Sequence, residues 1–258
     1  MPIFRSRGVV LRSRNLGEAD KIVKFFTERY GKISGVIKGA RRIKSRYGGD
    51  IQPLNLVNLI YFDRENKGLV NINSCETIIS FHKIREDFER LSRGLYIVEL
   101  IDLVLKERQR NKNIFDLMTR IISSIEASGL ERIDALLRIF EIRILSLIGY
   151  RPRLDQCVKC NHLVQDKDSF KFSYLFGGIL CDRCSKDSQD VLKITPGVLN
   201  FIKKAMAVDL ERVTRLKLNL ELNRELSRLI NTYIEVHLGR SPKAYKFLNQ
   251  LSENNKGL

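Results

Sequence analysis

Four cysteines offer the sharpest chemistry in this chain. Cys157-Val-Lys-Cys160 and Cys181-Asp-Arg-Cys184 form two C-x2-C pairs separated by twenty residues, the spacing of a four-thiolate zinc site. Two intervening residues let one tight turn offer both thiolates to a single ion, and two such turns complete a tetrahedron. Cys157, Cys160, Cys181 and Cys184 are therefore the expected zinc ligands. Four thiolates leave no open coordination position, so the site is structural rather than catalytic. Gly177-Gly178, just ahead of Cys181, supplies a turn that can return the second pair to the first. His162 is an outside candidate that a complete cysteine set does not need. Cys75 has no partner nearby and reads as a small core residue.

A second cluster is purely electrostatic. Lys38-Gly-Ala-Arg-Arg-Ile-Lys-Ser-Arg46 packs five cations into nine residues, and Tyr47-Gly48-Gly49 follows at once. No acidic side chain lies between Glu28 and Asp50, whereas Arg29, Lys32, Lys38, Arg41, Arg42, Lys44 and Arg46 all carry positive charge. Closely held Lys and Arg bind nucleic acid by releasing its condensed counterions. Lys38, Arg41, Arg42, Lys44 and Arg46 are thus the candidate nucleic-acid ligands, the arginines as forked donors and the lysines as point charges. Tyr47 is a candidate stacking platform for a base. A further basic stretch, Lys203, Lys204, Arg212, Arg215 and Lys217, either extends this footprint or is an ordinary solvated helix face.

Composition agrees with a polyanionic partner. The chain has 258 residues, 43% of them apolar, and a net charge of +16. The excess is uneven: +8 over residues 1–80, +1 over 81–150, +1 over 151–190 and +6 over 191–258. No apolar run approaches the ~20 residues a membrane span needs, and Met1-Pro-Ile-Phe-Arg-Ser-Arg7 lacks a signal-peptide core. The expected location is the cytoplasm, where thiols stay reduced and suit metal better than disulfides. Phosphate-loop, dinucleotide-loop and nucleophile-elbow motifs are missing. His82, His162 and His237 are followed two residues on by Ile84, Val164 and Gly239, not by the Glu of a zinc deaminase. Glu86, Asp87 and Glu89 fit a helix start better than a magnesium site. No enzymatic activity is expected.

These groups need elements to hold them. Residues 1–80 read as short strands over 4–14, 21–30, 32–38, 54–62 and 68–72, with turns at Tyr30-Gly31 and Lys67-Gly68. Ile33, Gly35 and Ile37 share one face, and Tyr61 and Phe62 are expected to be half or wholly buried. Five such strands suit a small closed barrel, of either the oligonucleotide-binding (OB) or the SH3-like type. From residue 81 the apolar period becomes helical. Phe88, Leu91, Leu95, Val98, Ile101 and Leu105 form one stripe; Asn113 with Asp116 resembles a cap before a helix over 114–127. Further helices are expected over 130–147, stopped by Gly149, from Thr195-Pro196 onward, and over 220–238, stopped by Gly239. The fold class is α+β: a five-stranded barrel over 1–80, helices over 81–150 and 191–258, and a zinc module over 151–190 inserted between them.

The chain resembles the RecO family of bacterial DNA-repair and recombination mediators over essentially its full length. The resemblance rests on Gly17-Glu-Ala-Asp20 with Ile22-Val23, on Phe26-Thr-Glu-Arg-Tyr-Gly31, and on Lys38-Gly-Ala-Arg41 with Ser45. It continues in Gly149-Tyr-Arg-Pro152 ahead of Cys157 and Cys160, and in Gly177-Gly178 ahead of Cys181 and Cys184. Asn161 stands where the family commonly has Gly, and Lys243-Ala244 where it tends to have Lys-Ser. The resemblance implies an OB barrel, a helical C-terminal domain and an inserted zinc module. It also implies binding of single- and double-stranded DNA, annealing of complementary strands, and assistance to RecA loading on DNA coated with single-strand-binding protein (SSB), together with RecR. The acidic SSB tail is an expected partner, which the second basic stretch could receive unless it is simply a solvated face. Barrel plus zinc ribbon would equally serve an RNA-binding or ribosome-associated factor, and a metal-dependent nuclease is the third alternative, disfavoured by the closed cysteine site.

Overall fold

A computed structural model describes residues 2–43, 45–63, 68–163, 170–209, 212, 216 and 218–248. The chain divides into two compact units, Met1–Ala127 and Ser128–Leu258. The first unit therefore includes the helices that follow the strands.

Five strands, β1 (Ile3–Leu16), β2 (Asp20–Thr27), β3 (Gly31–Ile37), β4 (Leu56–Phe62) and β5 (Leu69–Ile79), close into a barrel in the order β1-β2-β3-β5-β4. All pairs are antiparallel except β3 with β5. Parallel neighbours cannot be joined by a hairpin. After β3 the chain must cross to the far side of the barrel, form β4, and return as β5 alongside β3. The five-stranded closure of this kind is the OB type, and the crossing segment, residues 38–55, contains the basic run. Val10, Val23, Phe25, Ile33, Val57, Leu59, Tyr61, Val70 and Ile72 fill the interior with Cys75, whose thiol burial pushes up to about 12. Cys75 is thus the core residue expected.

Several strand boundaries differ from the pattern: the first strand runs on to Leu16 and the second ends at Thr27 rather than at residue 30. The fourth strand starts at Leu56 rather than Leu54, because Leu54 adopts φ 76°, a left-handed conformation that interrupts the extended chain. Leu54 is nonetheless fully buried, beside Gly94, where a Cβ would stand 2.8 Å from the Leu54 side chain. The fifth strand runs on to Ile79, since its polar Asn73, Ser74, Glu76 and Thr77 conceal the alternation without preventing the ladder. Lys67, half of an expected turn, lies outside the described residues; Gly68 has φ 76° as such a turn requires.

Helices α1 (His82–Glu86), α2 (Phe88–Val104) and α3 (Lys112–Ala127) complete the unit. The expected stripe on α2 holds in part: Val98, Ile101 and Leu105 are buried and Leu91 is half-buried, but Phe88 and Leu95 are exposed, and Tyr96, Ile97 and Leu100 are buried off the stripe together with Ser92, Arg93 and Gly94. A helix buried over most of its girth has no single apolar stripe to read. Asp87 caps it, its carboxylate accepting from the Arg90 amide at 2.8 Å. Asn111, not Asn113, caps α3, accepting from the Ile114 amide at 3.0 Å.

In the second unit α4 (Leu130–Leu147) and, further along, α6 (Pro196–Ala207) and α7 (Leu220–Leu238) surround an apolar core that includes Leu136, Phe140, Ile202, Leu226 and Ile230. Their boundaries follow the expected stops, with Gly149 at φ 97° and Gly239 at φ 71°. The Thr195 hydroxyl accepts from the Val198 amide ahead of Pro196. Between α4 and α6 lie a three-stranded sheet in the order β7-β6-β8, with β6 Lys171–Ser173, β7 Gly178–Leu180 and β8 Val191–Lys193, and the short α5 (Asp182–Lys186).

Candidate functional site

The four cysteines converge. Their sulfurs all lie within 4.8 Å of one another, and Cys160 Sγ stands 3.7 Å from Cys181 Sγ. A tetrahedron of thiolates about 2.3 Å from zinc has edges of roughly 3.8 Å, so this donor set fits a zinc-sized ion. The first pair sits on a tight knuckle: the Asn161 amide donates to the Cys157 carbonyl at 2.9 Å, and the Cys157 amide to the His162 carbonyl at 2.8 Å. Asn161 takes the left-handed φ of 59° that closes this turn. Cys181 leads into α5, its carbonyl accepting from Ser185 at 3.0 Å. Gly178 is required where the two halves meet, since a Cβ there would stand 2.4 Å from the Arg153 carbonyl oxygen.

Electrostatics at the quartet favour a cation. Burial alone would raise the Cys157 thiol, yet amide donors from Cys181, Cys160 and Lys159 hold it at about 6. Hydrogen bonds to Cys181 and Cys160 push Cys184 up to about 12, because neighbouring thiolates cannot all ionise without positive charge among them. His162 is exposed and gives the knuckle its carbonyl; among the described residues the metal-capable group comprises the cysteines alone. Phe172 of β6 meets Tyr233 of α7 edge to face at 5.4 Å, and His237 bonds the Tyr174 carbonyl at 2.8 Å. The module is thereby fastened to the helices of its own unit.

On the barrel the basic segment is held at both ends and open in the middle. The Gly39 amide donates to the Asp20 carboxylate at 2.8 Å, and the Arg41 amide to the Ala19 carbonyl at 2.9 Å, while the Arg41 guanidinium donates to the Gly17 carbonyl. At the other end the Arg46 guanidinium donates to the Tyr47 hydroxyl at 2.8 Å and lies 4.9 Å from its ring centre. Tyr47 in turn donates to the Asn73 carbonyl at 3.0 Å and packs half-buried against the barrel core. Lys38, Arg41, Arg42 and Arg46 are exposed, and none of them is in an ion pair among the described residues. Lys44 lies outside those residues.

One cation of the acid-free run does not belong to this surface. The Lys32 side chain is 6% exposed, its ammonium 2.8 Å from the Asp102 carboxylate and 2.6 Å from the Asp102 carbonyl. Lys24 joins the same carboxylate at 3.0 Å. Asp102, on α2, is far off in sequence, so the acid-free stretch overstated the free charge. Tyr61 is 2% exposed and Phe62 half-buried, as their strand positions suggest.

The surface also contains cations that the pattern missed. A register shift between Val10 and Arg12 inserts an extra residue into β1, so Arg12 faces outward opposite Lys24 while Val10 faces inward opposite Phe25. Arg12 and Arg14 line a groove of about 360 Å³ with Ile22, Lys24, Ser34, Leu69 and Glu107. A second groove, about 510 Å³, is lined by Val36, Lys38, Arg46, Tyr47, Phe62, Asn71, Ile72 and Asn73. Ser34 pairs with Leu69 and Val36 with Asn71, so the grooves adjoin along β3 and β5. Only the bulge could have revealed Arg12 and Arg14, and the residues at it, Val10, Leu11 and Arg12, include no glycine to mark it.

The second basic stretch is less free. Lys203 is in an ion pair with Asp155 at 2.9 Å, and Arg215 and Lys217 lie outside the described residues. Lys204 and Arg212 are exposed. No helix is long and apolar enough to cross a membrane among the described residues.

Comparison with known proteins places these features. Residues 1–81 match the family model described as recombination protein O N terminal, and residues 85–246 match recombination protein O C terminal. A protein of Symbiobacterium thermophilum named DNA repair protein RecO is 33% identical over 254 residues, covering 97% of this chain and 98% of that protein. Its namesake in Alkaliphilus metalliredigens is 32% identical over 238 residues, covering 92% and 95%. That of Halalkalibacterium halodurans is 32% identical over 247 residues, covering 96% and 94%.

Proposed function

The chain belongs to the RecO family of DNA repair and recombination proteins, and from that premise we propose that it is a recombination mediator that grips DNA on the basic side of its barrel. In this reading it binds single and double strands, anneals complementary strands, and assists RecA loading on SSB-coated DNA in company with RecR. The observation that carries it is the group of exposed Lys38, Arg41, Arg42 and Arg46, free of ion pairs among the described residues, beside a groove with an aromatic wall. Lys44 adds a fifth charge to the same segment.

The grip follows from charge and geometry. Guanidinium forks clamp phosphate oxygens while Lys38 acts as a point charge, and Tyr47 and Phe62 offer ring surface to a base. Annealing then requires that two strands be held with their charge screened, so no bond is made or broken and no enzymatic activity is involved. The metal we assign to Cys157, Cys160, Cys181 and Cys184 is zinc. It would supply a crosslink and no reaction, in the reducing cytoplasm where thiolates persist.

Salt dependence tests the grip. With about five phosphates contacted, log affinity for a single strand should fall with log salt at a slope of about −3.5. Replacing Arg41, Arg42, Lys44 and Arg46 together by Ala should flatten it to about −0.7. An unchanged slope would refute the assignment.

A further inference from the structure

The basic segment carries an apolar side chain at the place where burial is least. Ile43 is 105% exposed, whereas the next most exposed large apolar side chain among the described residues, Leu163, is 68% exposed. Arg42 and Lys44 flank it in the chain. An isoleucine between two cations in a surface turn contributes nothing to the core, and solvation would be served better by a polar residue.

The turn that presents it is braced. Before it, the Gly39 and Arg41 amides are tied to Asp20 and Ala19. Across it, the Ser45 amide donates to the Arg42 carbonyl at 2.8 Å, and after it Arg46 and Tyr47 are fixed on Asn73. The cations neighbouring Ile43 would lie on phosphates, which brings the tip to the level of the bases. Apolar side chains held this way, isoleucine among them, enter between neighbouring bases and part the stack.

We propose that Ile43 is a wedge that inserts between stacked bases of bound DNA, opening the stack while Arg41, Arg42 and Arg46 hold the phosphates. This rests on the DNA-binding reading above and adds a residue and a step to it. Parted bases are freed from a collapsed stack and can turn their pairing edges toward a complement, which is what a strand searching for its partner needs. A basic tip with an exposed isoleucine would also suit an anionic lipid surface. The adjoining groove with Asn71, Asn73 and Tyr47 favours nucleic acid, because its amides and ring match base edges and faces.

The test uses the full chain and single-stranded and duplex oligonucleotides carrying 2-aminopurine, whose fluorescence rises when its neighbours unstack. Affinity and salt slope are measured on the same samples. Ile43→Ala should keep affinity within about threefold and the slope unchanged, yet lose at least about half of the fluorescence rise at saturation; Ile43→Phe should restore it. A full fluorescence rise with Ile43→Ala overturns the wedge and leaves the DNA grip standing. Failure of the unaltered chain to bind the oligonucleotides overturns both. Binding to phosphatidylglycerol vesicles that depends on Ile43, with an unchanged fluorescence rise on DNA, overturns the wedge in favour of a lipid surface.

Discussion

The cysteine module and the basic side of the barrel solve opposite problems. In the module four like-charged groups are turned inward on one point, and their mutual repulsion becomes an asset only when a cation sits among them. On the barrel, cations are turned outward and, among the described residues, left without acidic partners, so their charge is available to whatever binds. In the proposed reading, one arrangement contributes to folding once a metal binds. The other contributes little to folding and is completed by a polyanion. Lys32 marks the border between the two, a cation by sequence neighbourhood that the fold has spent internally on Asp102.

The largest effect should come from the module. Structural zinc sites contribute about 10 to 16 kcal/mol of apparent binding energy to folding, so Cys157→Ser should abolish stoichiometric zinc and strip hydrogen-exchange protection from residues 151–193. The amides of β1 to β5 should keep theirs. Equal loss in both units would break the comparison.

Lys32→Ala comes next, because it leaves the Asp102 carboxylate with Lys24 alone. It should destabilise the first unit by about 2 kcal/mol in denaturant unfolding, the loss of a charged hydrogen bond at a partly exposed carboxylate that keeps Lys24, without altering the salt slope of DNA binding. Arg42→Ala should do the reverse, changing stability by no more than about 0.5 kcal/mol and making the slope shallower by about 0.7. If both changed the same observable, the distinction between spent and free cations would fail.

The smallest effect is a pH dependence. Burial would push the Asp102 carboxyl up, but hydrogen bonds from the Lys32 and Lys24 ammonium groups outweigh it and hold the group below its usual range. A lowered folded-state value means the contribution is complete above the ordinary carboxylate range, about 4, and is lost as pH falls through the folded value. Acid unfolding of the first unit should therefore be less steep below about pH 4 in Asp102→Asn than in the unaltered chain.

Legibility followed the range of the interactions. Cys157, Cys160, Cys181 and Cys184 could be read directly because each pair is one turn and ligand chemistry fixes the spacing. The helices over 130–147 and 220–238 were equally plain, each long, apolar at helical spacing and bounded by a glycine or a capping Asn219. The α2 stripe was legible only at Val98, Ile101 and Leu105, because Gly94 lets Leu54 approach so closely that the helix is buried on several sides. Arg12 and Arg14 were overlooked because a bulge reverses the phase of β1 after Val10. Lys32 was overcounted because the acid that neutralises it lies seventy residues away.

By itself the sequence determined the kinds of groups present: a thiolate quartet with metal spacing, a dense cationic run, and strands followed by helices, since each depends on near neighbours in the chain. Only the tertiary structure decided which charges are free. Strand register and the α2 helix bring distant residues within a few ångströms, and at that distance a carboxylate either cancels a cation or, by its absence, leaves it to bind.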